Sequence, residues 1–122
     1  MNQKEVKYDL EDRTAKFGEK VIALCQKIRR NPITDPLVNQ LVRSATSVGA
    51  NYMEANGASS KRDFVNKIFI CKKESQESKH WLRMLASSGG TIDGNELRSL
   101  WREAQELTLI FQKITSSIRK SV

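Results

Sequence analysis

The sequence predicts an all-α protein, an antiparallel up-down-up-down bundle of four helices. Apolar residues recur at helical spacing in four successive segments of the 122-residue chain, and no segment keeps the period of two that a β-strand needs. Short connections separate these segments, which forces consecutive helices to lie antiparallel. The length suits one domain. We therefore expect a flexible N-terminal tail over residues 1–8 and a four-helix-bundle domain over residues 9–122.

The first two helices are marked by apolar stripes and by the residues that end them. The first helix is predicted to begin near Asp9 and to end near residues 31–32. Its stripe consists of Phe17, Val21, Leu24 and Ile28. The second helix is predicted to begin at residues 34–36, where Asp35 caps free backbone N–H groups, and to stop at Gly57 in a left-handed conformation. Its stripe consists of Val38, Leu41, Ala45, Val48 and Tyr52.

The third and fourth helices carry stronger capping signals. Ser60 opens the third helix, with Asp63 completing a variant of the capping box, and residues 87–90 end it. Its stripe consists of Phe64, Ile68, Cys71, Ser75, Ser78, Leu82 and Leu85. Asp93 is the predicted N-cap of the fourth helix and Glu96 its reciprocal partner. The fourth stripe consists of Leu97, Leu100, Ala104, Leu107, Phe111, Ile114 and Ile118.

The charge of the chain favours polyanionic partners. There are 21 Lys and Arg residues against 14 Asp and Glu residues, a net charge of +7. No apolar run approaches the roughly 18 residues that a membrane span needs, and the N-terminus is charged where a signal peptide would be apolar. We therefore expect a cytoplasmic protein that does not enter a membrane.

The sequence offers little support for catalysis or metal binding. Cys71 and His80 point about half a turn apart on one helix, so they cannot form a nucleophile and base pair. Glu77 and His80 have the Glu-x-x-His spacing of di-iron bundles, but that site needs a second such pair and two more inward glutamates. Cys25 and Cys71 are predicted to be reduced thiols at or beside the apolar stripes. We expect no catalytic residue, metal, cofactor or small-molecule substrate.

The third helix segregates its charges, with a basic stripe on its outer face and Asp63, Glu74 and Glu77 on the opposite flank. An aromatic ring between cations is what a stacking platform for unpaired bases uses. The predicted nucleic-acid-binding residues are Lys61, Arg62, Phe69, Lys72, Lys73, Lys79 and Arg83. The alternative is that the lysines only solvate the surface, while Phe69 and Val65 pack on another subunit.

The second helix carries almost no charge. Only Arg43 and Glu54 are charged between residues 37 and 55, and small side chains over residues 43–51 allow close backbone approach. This pattern predicts a helix covered on both sides, by the core and by a neighbouring subunit. We expect Arg43 and Glu54 to be paired within that contact, because an unpaired buried charge is costly. The predicted oligomer interface consists of Arg43, Ser47, Ala50, Asn51 and Glu54.

Several segments resemble one protein family. Residues 43–51, 54–55, 60–64 and 74–82 look like the four-helix-bundle family named after proteins encoded in intervening sequences of bacterial 23S rRNA genes. The resemblance implies a cytoplasmic bundle that assembles as a homopentamer. A similar protein is the nucleic-acid-binding accessory factor of a diversity-generating retroelement, and the family name implies a link with rRNA. The resemblance implies no catalytic residues.

Three hypotheses for the function follow in order of preference. The first is a non-enzymatic homo-oligomer, most simply a pentamer, that binds RNA or DNA through its basic outer surface. The second is an oligomeric protein-interaction scaffold that binds no nucleic acid. The third is an enzyme or a metal protein. Salt dependence separates the first two, because phosphate binding weakens steeply as salt is added.

Overall fold

Four α-helices form the fold. The structure is a computed structural model that describes residues 9–89 and 91–120, and within them it contains no strand. The helices are α1 Leu10–Gln26, α2 Thr34–Asn56, α3 Lys61–Ser87 and α4 Gly94–Lys120. The predicted all-α fold of four helices is confirmed. The tail predicted over residues 1–8 lies outside the described residues, as does Gly90.

Contacts between neighbouring helices run in opposite sequence order. The hydroxyls of Ser44 and Ser78 are hydrogen-bonded at 2.9 Å, and one turn further along α2 the carbonyl of Val48 accepts from the thiol of Cys71 at 3.6 Å. The same reversed order holds for Lys72–Gln112 and Lys79–Gln105 between α3 and α4, and for Arg13–Glu103 and Lys27–Glu96 between α1 and α4. Each of these helix pairs therefore runs antiparallel.

The core follows the predicted stripes. Of their members, all are buried except Tyr52, Phe64, Ile114 and Ile118, which are half-buried. Polar residues also enter the core, where Thr14, Ser75 and Thr108 donate their hydroxyls to backbone carbonyls one turn earlier. These bonds satisfy groups that would otherwise be costly to bury. Within the described residues, no buried side-chain polar atom lacks a partner.

The first helix ends earlier than predicted, at Gln26 instead of near residues 31–32. The N–H of Lys27 and that of Ile28 bond to carbonyls three residues back, at 3.0 and 3.1 Å, which closes a tight last turn. Pro32 explains why the helix cannot continue, because proline lacks a backbone donor and disfavours helical dihedrals in the residue before it. Ile28 nevertheless stays buried beyond the helix end.

Two predicted helix ends use other residues. Asp35 does not cap α2; the side-chain oxygen of Asn31 accepts from the N–H groups of Ile33 and Thr34 at 2.8 and 2.9 Å. Asp35 instead pairs with Arg30. Gly57 follows α2 as expected, but its φ is −95°, because its N–H still bonds back to the last turn. The left-handed glycine is Gly89, with a φ of 77°, after α3.

The caps predicted for α3 and α4 are confirmed. Ser60 accepts from the N–H of Asp63 at 3.0 Å, and Asp93 accepts from the N–H of Asn95 at 2.9 Å. Glu96 is not a reciprocal partner, since its carboxylate accepts from Lys27 at 2.8 Å. No helix among the described residues is long and apolar enough to cross a membrane.

Candidate nucleic-acid interface

The basic stripe of α3 borders α4. Lys72 donates to the side-chain oxygen of Gln112, and Lys79 donates to that of Gln105. Both lysines are half-buried, so the prediction that they face outward is wrong: they line the seam between two helices. Seven residues separate them, which is about 10.5 Å along the helix axis. Of the other predicted residues, Lys61, Arg62, Lys73 and Arg83 are exposed and Phe69 is half-buried.

Four residues of α4 complete this surface, and none was among the predicted site residues. Trp101 is 40% exposed, and the Nζ of Lys79 lies 5.2 Å from its ring centroid, a cation–π contact. Placing α4 on the same 100° wheel as α3 would have identified it, because Trp101 falls beside the α4 stripe. We call the following set the α3–α4 face: Lys72, Lys79 and Arg83 of α3 with Arg98, Trp101, Gln105 and Gln112 of α4.

Acidic residues of α3 and α4 point away from the α3–α4 face. Glu74 and Glu77 pair with Arg43 of α2. Glu96, Glu103 and Glu106 pair with Lys27 and Arg13 of α1. Among the described residues, none of the six basic residues predicted to bind nucleic acid forms an ion pair. Their charges are therefore not neutralised within the chain, which leaves them available to phosphates.

The predicted oligomer surface of α2 is largely exposed in the single chain. Ala50 and Glu54 are exposed, whereas Ser47 and Asn51 are half-buried and joined by a 2.9 Å bond from the Asn51 amide to the Ser47 carbonyl. Glu54 pairs with Lys67 of α3 at 2.7 Å. Arg43 likewise pairs with Glu74 and Glu77 of α3. Both charges therefore have partners inside the chain, and coverage of this surface by a second copy stays a prediction.

Removing the Arg43 side chain should destabilise the fold. Glu74 is only 7% exposed and lies 3.2 Å from Arg43, so Arg43→Ala leaves an almost buried carboxylate without its cation. We expect a loss of about 1 to 3 kcal/mol in the free energy of unfolding, measured in urea. Arg29→Ala removes an exposed arginine and should cost less than about 0.5 kcal/mol. Equal losses would show that Glu74 does not depend on Arg43.

The two cysteines behave as core residues. Cys25 and Cys71 are both buried, and burial raises the pKa of the Cys25 thiol to about 11 and that of Cys71 to about 12. His80 is exposed and lies edge-on to Trp81, with ring centroids 4.8 Å apart. Within the described residues, no group of three or more His, Cys, Asp or Glu residues is placed to hold a metal ion.

The raised cysteine pKa values predict a loss of stability in alkali. Below pH 9 the thiols are protonated in both the folded and the unfolded chain, so they add no pH dependence. Between pH 9 and about 11 to 12 only the unfolded chain ionises, which favours unfolding. Urea midpoints measured across this range should fall. They should fall less in a Cys25→Ala, Cys71→Ala double variant, and an identical fall in both proteins would contradict the assignment.

Known proteins resemble this chain in sequence and in fold. The model of a family described as 23S rRNA-intervening sequence protein matches residues 7–116. Among solved structures, the chain is similar to a protein from Bacteroides thetaiotaomicron that is described as having unknown function and belonging to the S23 ribosomal protein family. The two are 28% identical and superpose with a TM-score of 0.76, covering 86% of this chain and 96% of the other. No curated protein gives a significant match.

Proposed function

The chain belongs to the 23S rRNA-intervening sequence protein family, and from that premise we propose that it is a non-enzymatic homo-oligomer that binds RNA or DNA through its α3–α4 face. The observation that carries this function is the segregation of charge. Cations line one side of α3 and α4, while the glutamates of both helices are paired on the other flanks. A polyanion is the partner that such a surface attracts.

Phosphate spacing suits the α3–α4 face better than it suits the other grooves. Lys72 and Lys79 stand about 10.5 Å apart along α3, and Arg83 adds a further charge one turn beyond Lys79. The largest cleft, about 620 Å³ between α1 and α4, mixes basic residues with Asp12, Glu103 and Glu106. Mixed charges of that kind repel a phosphate backbone as much as they attract it. Contacts through lysine and arginine grip the backbone and read little sequence, so broad specificity is expected.

Self-association is the second part of the proposal, and a homopentamer is the form that the family resemblance implies. An apolar groove of about 390 Å³ runs between α1 and α2, with Gly18, Gly49 and Ala50 in its lining. Ile22 and Met53 are exposed at the same groove, at 39% and 61%. Exposed apolar residues beside small ones favour contact with a second copy. A ring would repeat the α3–α4 face and turn weak single contacts into useful avidity.

Two solution measurements test this function. Light scattering at micromolar concentration should give about five times the 13.9 kDa chain mass, and a monomeric mass would refute the assembly. Fluorescence anisotropy with labelled RNA and DNA should show binding that weakens linearly in log–log form as salt rises. An oligomer that binds neither nucleic acid at low salt would favour the protein-interaction scaffold.

A further inference from the structure

A small pocket lies at one end of the α3–α4 face, beside the connection between the two helices. It has a volume of about 190 Å³ and is lined by Leu82, Arg83 and Ala86 of α3 and by Leu97, Arg98 and Trp101 of α4. Leu82 and Leu97 are buried and form an apolar base. Arg83, Arg98 and Trp101 are exposed around it. The pocket thus combines an apolar base, an indole ring and two guanidinium groups.

The charged groups of the pocket are not neutralised within the described chain. Arg98 bonds to the side-chain oxygen of Asn95, and no described carboxylate forms an ion pair with Arg83 or Arg98. The carboxylate nearest in sequence, Asp93, accepts from backbone N–H groups at the start of α4. Lys79 adds a third cation, 5.2 Å from the Trp101 ring centroid. The pocket is therefore suited to a ligand that joins a flat apolar ring to an anion.

We propose that this pocket binds an unpaired nucleotide, with its base stacked against Trp101 and its phosphates held by Arg83, Arg98 and Lys79. This inference rests on the proposed function and names its substrate class, single-stranded nucleic acid. In a duplex, both faces of a base are covered by neighbouring base pairs, so only an unpaired base can present a face to the indole. The remaining cations of the α3–α4 face would then follow the backbone away from the pocket.

The two tryptophans of the chain make the inference testable. Trp81 is half-buried and its indole N–H donates to Glu77, on the flank that carries Arg43. A Trp81→Phe variant therefore reports on Trp101 alone, and a Trp101→Phe variant is its matched control. Addition of unlabelled oligothymidylate should quench the emission of the first variant and leave that of the second nearly unchanged. A blunt duplex of equal length should quench neither.

Affinity provides an independent readout. Trp101→Leu keeps an apolar side chain but removes the stacking ring, so binding of labelled oligothymidylate should weaken by about 5- to 140-fold. Trp101→Phe should retain most of the affinity, and duplex binding should not change in either variant. Circular dichroism would verify that each variant is folded.

The outcomes separate the pocket from the proposed function. Tight binding of both oligonucleotides, with no quenching of Trp101 and no effect of Trp101→Leu, would overturn the pocket and leave nucleic-acid binding in place. A preference for duplex would overturn the pocket in the same way. Absence of binding to either oligonucleotide at low salt would overturn the proposed function together with the pocket.

Discussion

Reversing Lys72, Lys73 and Lys79 to glutamate should abolish nucleic-acid binding and leave the fold and the assembly intact. Each reversal replaces a cation with an anion on a surface whose cations have no ion-pair partner among the described residues. We expect affinity to fall by at least about 100-fold at low salt, because several phosphate contacts are lost together. Fluorescence anisotropy at several salt concentrations would measure both the affinity and its salt slope.

The matched control for the triple reversal lies on the opposite side of the bundle. Lys16, Lys20 and Arg29 are exposed residues of α1 and its C-terminal extension, and their reversal changes the net charge by the same amount. This variant should keep most of the binding, because only the α3–α4 face is placed to contact phosphates. If the two triple variants lost affinity equally, binding would reflect net charge instead of a defined surface. If neither lost affinity, the scaffold hypothesis would replace nucleic-acid binding.

Truncating Leu107 should have the largest effect on stability. Leu107 is fully buried, at 0% exposure, so Leu107→Ala removes buried apolar surface and leaves a cavity. We expect a loss of about 2 to 5 kcal/mol in the free energy of unfolding. That is a large part of the roughly 5 to 15 kcal/mol that holds an ordinary domain folded. Urea denaturation would give the loss from the shift in midpoint at constant slope.

Leu109 supplies a control of identical chemistry two residues further along α4. It is 57% exposed, so Leu109→Ala should cost less than about 0.5 kcal/mol. Leu82→Ala on α3, at a site 1% exposed, should match the large loss of Leu107→Ala. A loss below about 1 kcal/mol at both buried sites would contradict the assigned core.

Helix existence was predictable because its signals are local. An apolar stripe is a property of residues three and four apart, and it needs no knowledge of the neighbouring helix. The caps at Ser60 and Asp93 were predictable for the same reason, since the capping atoms lie within three residues of the groups they satisfy. The end of α1 was placed too late because Ile28 continues the stripe into a segment that is no longer helical.

Side-chain pairing was less predictable, because it depends on which helix lies beside which. Glu96 has the spacing of a capping partner but bonds to Lys27, a residue 69 positions away. Asp35 likewise has the position of a cap but pairs with Arg30 across the turn before α2. In both cases a cation brought close by the tertiary fold competed with a local backbone donor, and a charge-assisted contact is the stronger of the two.

For this protein, the sequence by itself determined the fold class, the core stripes and the side of α3 on which the cations lie, because each follows from helical periodicity within one segment. Only the tertiary structure decided what that side borders. It placed Lys72 and Lys79 against glutamines of α4 and brought Arg83, Arg98 and Trp101 around one pocket. The reason is physical: the facing of two helices is set by how their side chains pack together, and neither helix carries that information alone.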